Sequence, residues 1–187
     1  MIEQVRKSRD YIASGGVIIY PTDTIWGIGC DATNPDSVER IYKIKQRADN
    51  KSMLVLVDGF SMLESYLESI PPHAKEILAS ARKPTTIIYP GARNLAPNLL
   101  GDDGSVGIRI TTDPFCKQLI EQTGKPIVST SANISGALSP ALFIQIETEI
   151  LEKADYVVQW RQEETVPTSP STIIKLSKHG NILVLRP

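Results

Sequence analysis

Short apolar runs alternate with segments of helical periodicity along this 187-residue chain. The runs are too short for helices, and Gly or Pro bounds several of them, so they predict buried strands over 17–20, 53–57, 85–89, 106–110, 127–129, 156–158, 171–176 and 182–185. The segments between them predict helices over 2–13, 36–45, 61–69, 72–81, 114–122 and 140–153. Interleaved elements of this kind are typical of an α/β domain. The last two strands have only a short connector, which favours antiparallel pairing and therefore a mixed sheet.

Local signals place the ends of several elements. Gly15-Gly16 and Gly124 predict helix ends, because glycine readily adopts the left-handed backbone of a helix C-terminus. Asn34 and Asp36 are both candidates for the N-cap of the second helix. We expect residues 21–31 to form a loop that leaves a core strand. We find no linker and no solenoid repeat, and expect a single domain spanning residues 1–187.

The overall charge excludes a generally basic surface. Lysine and arginine total 20 against 21 for aspartate and glutamate, and the net charge of -1 gives no whole-molecule attraction to nucleic acid or to an anionic membrane. Any anion site must be local. The start of the chain has no apolar leader, and no run approaches the roughly 20 apolar residues that cross a bilayer, so we expect a cytoplasmic protein.

Cysteine and histidine give no sign of a metal or redox site. Cys30 and Cys116 are far apart and lack ligand spacing, so we interpret both as packing residues in a reducing compartment. His73 and His179 have no paired ligand spacing and are interpreted as surface residues in a helix and a turn. We therefore predict no dedicated metal site.

Three polar segments adjoin predicted core strands, where ligands of open α/β sheets collect. They are Pro21-Thr22-Asp23-Thr24-Ile25-Trp26-Gly27-Ile28-Gly29, the Lys45-Gln46-Arg47 turn, and Ser129-Thr130-Ser131-Ala132-Asn133-Ile134-Ser135-Gly136. The first segment fits a ligand-binding loop, or else a turn in which short polar side chains bond their own backbone. The third concentrates hydroxyl, amide and glycine groups, as a loop that cradles phosphate does.

The cations Lys45, Arg47 and Lys51 also have two interpretations. They suit a triphosphate or a carboxylate, with ammonium groups as point charges and the guanidinium as a bidentate fork. Alternatively, they form a solvated helix end that offsets the helix dipole. No GxxxxGK[ST], GxGxxG or GxSxG pattern is present, so a nucleotide site here is of another type. Asp102-Asp103 is interpreted as a turn, and Trp26 as either a stacking residue or a core residue.

Taken in order, six segments resemble the YrdC family of threonylcarbamoyl-AMP synthases over essentially the whole chain. They are the PTDT-aromatic-GxG segment, the KxR turn, VGIR, STSANISG, PSTI and the terminal LRP. Each is weak alone, and the series is specific. The resemblance implies a YrdC-like domain around a large concave cavity that holds ATP and threonine. The absence of an extra C-terminal domain resembles the short bacterial form.

The resemblance also implies roles for individual residues. It places a threonine site at Thr24, Arg109, Ser129 and Ser171. It places an ATP site at Arg47, Lys51, Ser105, Ser131, Asn133, Ser139 and Arg186. Lys45 and Arg47 match the catalytic KxR pair, near the phosphates and the bicarbonate chemistry. Mg2+ is expected to arrive with ATP.

The implied activity is nucleotidyl transfer. Threonine, bicarbonate or CO2, and ATP would give threonylcarbamoyl-AMP and pyrophosphate, for the threonylcarbamoyl modification (t6A) of adenosine 37 in tRNAs that read ANN codons. The product would pass to the tRNA threonylcarbamoyl-transfer machinery. Two alternatives stay open: an RNA-binding module of the same fold, and a carbamoyl-AMP transferase, since such domains also occur in hydrogenase maturation proteins.

The chain departs from the family pattern at several positions. Ala48 and Ser52-Met53 replace prolines and a leucine near the KxR turn, Leu56 stands where some members have histidine, and residues 81–86 replace a Trp-Pro-Gly-Pro-Leu-Thr run. We expect the threonine pocket and one cavity wall to differ in detail.

Overall fold

The computed structural model describes residues 1–46, 53–177, 179 and 181–187. Its strands are β1 (Ile18–Tyr20), β2 (Gly27–Gly29), β3 (Leu54–Val57), β4 (Thr85–Tyr89), β5 (Val106–Ile110), β6 (Ile127–Ser131), β7 (Tyr156–Val157), β8 (Thr172–Leu176) and β9 (Ile182–Arg186). Its α-helices are α1 (Ile2–Ala13), α2 (Pro35–Ile44), α3 (Phe60–Ser65), α4 (His73–Ser80), α5 (Pro114–Thr123) and α6 (Thr148–Lys153).

The strands form one mixed sheet in the order β7-β1-β2-β6-β3-β5-β4-β8-β9. The pairs β1–β7, β3–β5 and β4–β8 are parallel, and the other neighbours are antiparallel. Strand β6 pairs with β2 on one side and with β3 on the other, so β6 lies near the middle of the sheet. The predicted α/β fold with a mixed sheet and flanking helices is confirmed.

Alternation within the first strand separates two cores. Ile18 and Tyr20 pack in a cluster with residues of α1 and α5, whereas Val17 and Ile19 pack on the other side, in a cluster that includes residues of α2, α3 and α4. Because successive side chains of a strand point to opposite faces, one short run supplies both cores.

The predicted helix caps are largely confirmed. The Asn34 side chain accepts hydrogen bonds from the backbone N–H groups of Asp36, at 3.0 Å, and Ser37, at 3.2 Å, so Asn34 is the cap of α2. Gly124 ends α5 with φ +64°, and Gly15 follows α1 with φ +80°. Both adopt the left-handed backbone that favours glycine.

The prediction of a loop over residues 21–31 was wrong, because this segment contains β2. That strand has glycine at both ends. A Cβ on Gly29 would lie 2.0 Å from the carbonyl oxygen of Val128, so only glycine lets the two strands approach this closely. A strand of this kind has almost no apolar signal to detect.

Two predicted helices are shorter than expected. Residues 140–153 contain only a 3-10 turn at Phe143–Gln145 and then α6, because the Gln145 side chain accepts the N–H groups of Ala141 and Leu142 at 2.8 and 3.0 Å. The helix predicted over 61–69 ends at Ser65. Beyond it the backbone pairs with residues 91–93 instead of continuing the helical ladder.

Several single-residue predictions are settled by burial. Cys30 and Cys116 are buried, as expected of packing residues. Trp26 is buried and lies against Phe143 with ring centroids 5.0 Å apart, so it fills the core. His73 opens α4 with half of its side chain exposed. In the part of the chain that is described, no helix is long and apolar enough to cross a membrane.

Candidate active site

A cavity of about 230 Å³ opens where the ends of several strands meet, and a pocket of about 30 Å³ adjoins it. Both are lined by Ile25, Leu54, Ser129, Thr130, Ser131 and Arg186. The small pocket adds Thr24, Gly27, Arg109, Pro170 and Ser171, and the cavity adds Met53, Thr86, Ile88, Gly107, Ser139 and Ile173. Strand order explains part of this convergence, since β5 and β6 both flank β3. Strand β9 lies at the edge of the sheet, and its Arg186 side chain reaches the wall through its hydrogen bonds to Ser171.

Seven residues predicted from the sequence as ligand contacts line these walls. They are Thr24, Arg109, Ser129, Ser131, Ser139, Ser171 and Arg186. Ser105, Asn133 and Lys45 are not part of the described wall. Arg47 and Lys51 lie outside the described residues.

The turn after β1 orients a hydroxyl group in the small pocket. Thr22 Oγ1 donates to the carbonyl of Ile25 at 2.8 Å and accepts the Thr24 backbone N–H at 3.0 Å. The two threonine hydroxyls lie 3.0 Å apart. A hydroxyl has one proton, and that of Thr22 is used, so Thr24 is the donor of this pair. The lone pairs of Thr24 Oγ1 therefore remain available to accept from a ligand.

Gly27 also lines this pocket, beside Ser129. A Cβ on Gly27 would lie 3.2 Å from the hydroxyl of Ser129, which is buried on β6. Gly27 and Ser131 are register partners in the β2–β6 pair. The polar sequence PTDT and the hydroxyl-rich end of β6 are thereby brought together across 100 or so residues of chain.

Arg109 supplies a buried positive charge beside these hydroxyls. Its Nη2 lies 2.9 Å from Oδ1 of Asp23, and its side chain is 2% exposed. That contact is an ion pair without hydrogen-bond alignment, because Asp23 Oδ1 has no hydrogen-bond partner, and Arg109 Nε has none either. An unpaired buried N–H is costly. Arg109 thus has donor capacity that a carboxylate ligand would use.

Ser171 and Arg186 form the wall shared by the two compartments. Arg186 Nε donates to the Ser171 carbonyl at 2.7 Å, and Arg186 Nη2 donates to its hydroxyl at 3.3 Å. Thr86 Oγ1 lies 2.9 Å from the same hydroxyl. Burial, and then the nearby charge of Arg109, lowers the pKa of Arg186. Two guanidinium groups therefore repel each other at this wall.

Lys45 is buried at the end of α2 and is only 1% exposed. Its Nζ donates to the backbone carbonyls of Ser131 and Asn133, the latter at 2.7 Å, and lies 3.4 Å from Asn133 Oδ1. The Lys45 carbonyl accepts the N–H of Ser135 at 2.8 Å. For Lys45, the alternative of a solvated helix end was wrong. Its ammonium group fixes the loop that follows β6.

Asn133 and Ser105 have intramolecular partners. Asn133 Nδ2 donates to the carbonyls of Ile134 and Ala137 at 2.9 and 2.7 Å, which folds the loop on itself. The Ser105 hydroxyl donates to Asp103 Oδ1 at 2.5 Å, in the predicted turn. Their predicted contacts with ATP remain predictions.

The departures from the family pattern fall in different environments. Leu56 is fully buried in the core with α1 and α5 and is no part of the described wall. Met53 and Thr86 line the cavity. Ala48 and Ser52 lie outside the described residues.

From the sequence, no individual role was assigned to four residues that support the site. Asp23 pairs with Arg109, Thr86 contacts Ser171, Thr168 donates to the carbonyl of Thr24, and Arg161 donates to the carbonyl of Thr22 at 3.1 Å. Asp23 stands inside the PTDT segment, so its neighbours were a signal. Arg161 and Thr168 carry no motif, and their partners lie more than 130 residues away.

In the part of the chain that the structure describes, carboxylate, histidine and cysteine groups do not gather into a metal site. Within the described ranges, no cluster of three or more such residues could hold an ion.

Known proteins of one family match this chain over most of its length. The Sua5/YciO/YrdC family model, described as "Telomere recombination", matches residues 10–187. The threonylcarbamoyl-AMP synthase of Pseudoalteromonas translucida is 34% identical over 165 residues, 87% of each chain. That of Stenotrophomonas maltophilia is 30% identical over 175 residues, 92% of each chain. P. abyssi Sua5, solved in complex with L-threonine, superposes with a TM-score of 0.86 at 25% identity; the match covers 98% of this chain but only 53% of Sua5. The chain therefore belongs to the Sua5/YciO/YrdC family.

Proposed function

We propose that this chain is a threonylcarbamoyl-AMP synthase, which makes threonylcarbamoyl-AMP and pyrophosphate from threonine, bicarbonate or CO2, and ATP. The observation that carries the proposal is the joining of two compartments. A small pocket with hydroxyl acceptors and the Arg109 cation opens into a larger cavity bounded by Ser131, Ser139 and Arg186. Relatives named for this activity cover most of the chain.

The small pocket suits an amino acid. Thr24 Oγ1 can accept from an ammonium or hydroxyl group, and Arg109 can donate to a carboxylate. Ser129 and Ser171 supply further hydroxyls in the same wall. The volume of about 30 Å³ limits the ligand to a few heavy atoms inside the pocket, with the remainder extending into the cavity.

The larger cavity suits the nucleotide. Arg186 borders it, and no carboxylate lies within ion-pair distance of Arg186 in the described portion of the chain, so its charge is available to a phosphate. Ser131 and Ser139 add hydroxyls there. Mg2+ would enter on the triphosphate, in keeping with how this ion binds through phosphates and water.

The reaction brings two anions together. The neutral threonine amine adds to CO2 with release of a proton to solvent, or to bicarbonate with loss of water, and gives a carbamate. A carbamate oxygen then attacks the α-phosphorus of ATP, and the bond to the pyrophosphate oxygen breaks. Fixed cations lower the repulsion between carbamate and phosphate, and we assign this role to Lys45 and Arg47 as well as to Arg109 and Arg186. The attack on phosphorus requires no general base, because the carbamate is already ionised.

Substrate dependence tests this proposal. Pyrophosphate release is measured with ATP, and with threonine or labelled bicarbonate present or omitted; mass spectrometry follows the labelled product. We expect release only when all three substrates are present, because no nucleophile exists until the amine is carboxylated. Equal release without threonine would exclude the activity.

The same experiment separates the alternatives. Release that depends on carbamoyl phosphate in place of threonine and bicarbonate would indicate a carbamoyl-AMP transferase. RNA affinity that falls with salt, without turnover of ATP, would indicate an RNA-binding module. Passage of the product to a tRNA-modifying partner, and a cytoplasmic location beside ATP and tRNA, belong to the proposal.

A further inference from the structure

The segment between β7 and β8 crosses the turn that carries Thr24. Arg161 Nη1 donates to the carbonyl of Thr22 at 3.1 Å, and the Thr168 hydroxyl donates to the carbonyl of Thr24. The same segment continues into Pro170 and Ser171 of the small pocket. It is therefore bonded to the turn on the side of the backbone, while the Thr24 hydroxyl lies in the pocket.

Arg161 makes three contacts from a constrained position. Its Nη1 also lies 2.8 Å from Asp113 Oδ2, and its Nε donates to Glu164 Oε1 at 2.6 Å. The backbone φ of Arg161 is +66°, a region that side-chain-bearing residues avoid. Local strain of this kind persists only where surrounding contacts hold it.

Asp113 is the fixed point of this arrangement. Its Oδ1 accepts the N–H of Cys116 at 2.9 Å and so caps α5, while Oδ2 faces Arg161. The Asp113 side chain is only 5% exposed. It lies four residues beyond Arg109, at the end of the chain segment that leaves β5. A rigid helix start is thus linked through one guanidinium group to the turn before Thr24.

We propose that Arg161 is a positioning residue for the amino-acid pocket: by bridging Asp113 to the Thr22 carbonyl, it fixes the turn that orients the Thr24 hydroxyl. This inference rests on the proposed function for the identity of the ligand, threonine. The bridge from Asp113 through Arg161 to the Thr22 carbonyl does not depend on that function. Thr22 connects Arg161 to Thr24, since the Thr22 hydroxyl is hydrogen-bonded to both the N–H and the hydroxyl of Thr24.

Three variants test the link. Arg161→Ala removes the bridge, and Arg161→Lys keeps the charge but has a single ammonium in place of the planar fork. Glu164→Ala is the matched control, because it removes only the more exposed ion pair of Arg161. Exposed pairs of this kind contribute about 1 kcal/mol or less.

The first measurement needs no substrate. Hydrogen exchange of peptides covering residues 21–26 should be about 5-fold faster or more in Arg161→Ala than in the wild type, intermediate in Arg161→Lys, and unchanged in Glu164→Ala. Peptides covering 127–131 should exchange at the wild-type rate in all variants. Unchanged exchange at 21–26 in Arg161→Ala, or faster exchange throughout the protein, would overturn the inference whatever the ligand is.

The second measurement separates positioning from stability. Calorimetric titration should show threonine binding weakened by about 3- to 10-fold in Arg161→Ala, the equivalent of one neutral hydrogen bond, with ATP affinity within twofold. Equal weakening of both ligands would refute the inference. A wild type that releases no pyrophosphate and binds no threonine would instead defeat the proposed function, while the exchange result would still decide the role of Arg161.

Discussion

Replacing Lys45 with methionine tests whether a buried ammonium group acts on the reaction or only holds a loop. Methionine keeps most of the side-chain volume and removes the charge. In the structure, the Lys45 ammonium bonds the carbonyls of Ser131 and Asn133, and Ser131 lines the cavity. The variant therefore leaves two backbone carbonyls without this donor.

Two opposing contributions set the stability of the Lys45→Met variant. Hydrogen bonds to a charged group contribute about 1.5–3 kcal/mol each, so losing two of them costs roughly 3–6 kcal/mol. Methionine also avoids the desolvation of a buried ammonium, which is several kcal/mol. We expect a net loss of about 1–3 kcal/mol. A domain with an unfolding free energy of about 5–15 kcal/mol stays folded at 25 °C after such a loss.

The effect on turnover should be much larger than the effect on the folded fraction. Loss of one preorganised charge beside a reacting phosphate costs about 3 kcal/mol, so pyrophosphate release should fall by about 100-fold or more. The control is Lys43→Met, since Lys43 lies two residues earlier on α2 with its side chain 73% exposed. Turnover, melting temperature and ATP affinity are measured for both variants.

Two results would refute the catalytic role of Lys45. One is near-normal turnover in Lys45→Met with normal melting. The other is a loss of turnover that disappears once the unfolded fraction is subtracted, which would leave Lys45 with the loop-fixing role alone. Equal losses in Lys43→Met would show that the charge acts only at long range.

Three further outcomes are expected. Thr24→Ala should raise the threonine KM by about 2- to 13-fold, because one hydroxyl hydrogen bond is lost, and should leave ATP affinity within about threefold. Ser131→Ala should instead weaken ATP binding. Calorimetry checks both variants, and the reverse pattern would invalidate these residue assignments. Gly29→Ala should destabilise the fold by about 3 kcal/mol or more in a denaturant melt, because its Cβ would lie 2.0 Å from the Val128 carbonyl; a normal melt would contradict this packing. Hydrogen bonds from Lys175 and then from Ser105 lower the pKa of Asp103 from 3.8 to about 2. Asp103→Asn should therefore be less stable than the wild type at pH 6, by at most about 1 kcal/mol, and this difference in unfolding free energy should disappear as the pH falls through 2. A difference that grows in acid would contradict the prediction.

The fold was predictable where local signals and burial agree. Strands such as 85–89 and 106–110 are short segments rich in β-branched residues, and their observed bounds equal the predicted ones. The Asn34 cap and the Gly124 helix end follow from side-chain and backbone chemistry within a few residues. The strand Gly27–Gly29 could not be predicted in this way, since its stability comes from close approach to β6, 100 residues later.

The site was predictable only as far as its motifs extend. Thr24, Ser129 and Ser131 stand in polar segments after apolar strands, so their convergence follows from the sheet. The bridge from Asp113 through Arg161 has no comparable signal, because each partner is a common charged residue in an ordinary segment. Such contacts depend on how distant loops meet, which periodicity does not describe.

The electrostatics of the cavity explain how a chain of net charge -1 can attract anions. Arg109 pairs with Asp23 but keeps an Nε without a hydrogen-bond partner, and Arg186 donates to neutral serine atoms. Burial and the repulsion of Arg109 already lower the pKa of Arg186, so folding holds two like charges together at a cost. A carboxylate or phosphate between them would relieve that cost and gain attraction in a region of low dielectric. Among the described residues, Arg109 and Arg186 thus place positive charge at the cavity that we propose for the anionic substrates, although the net charge of the chain is -1.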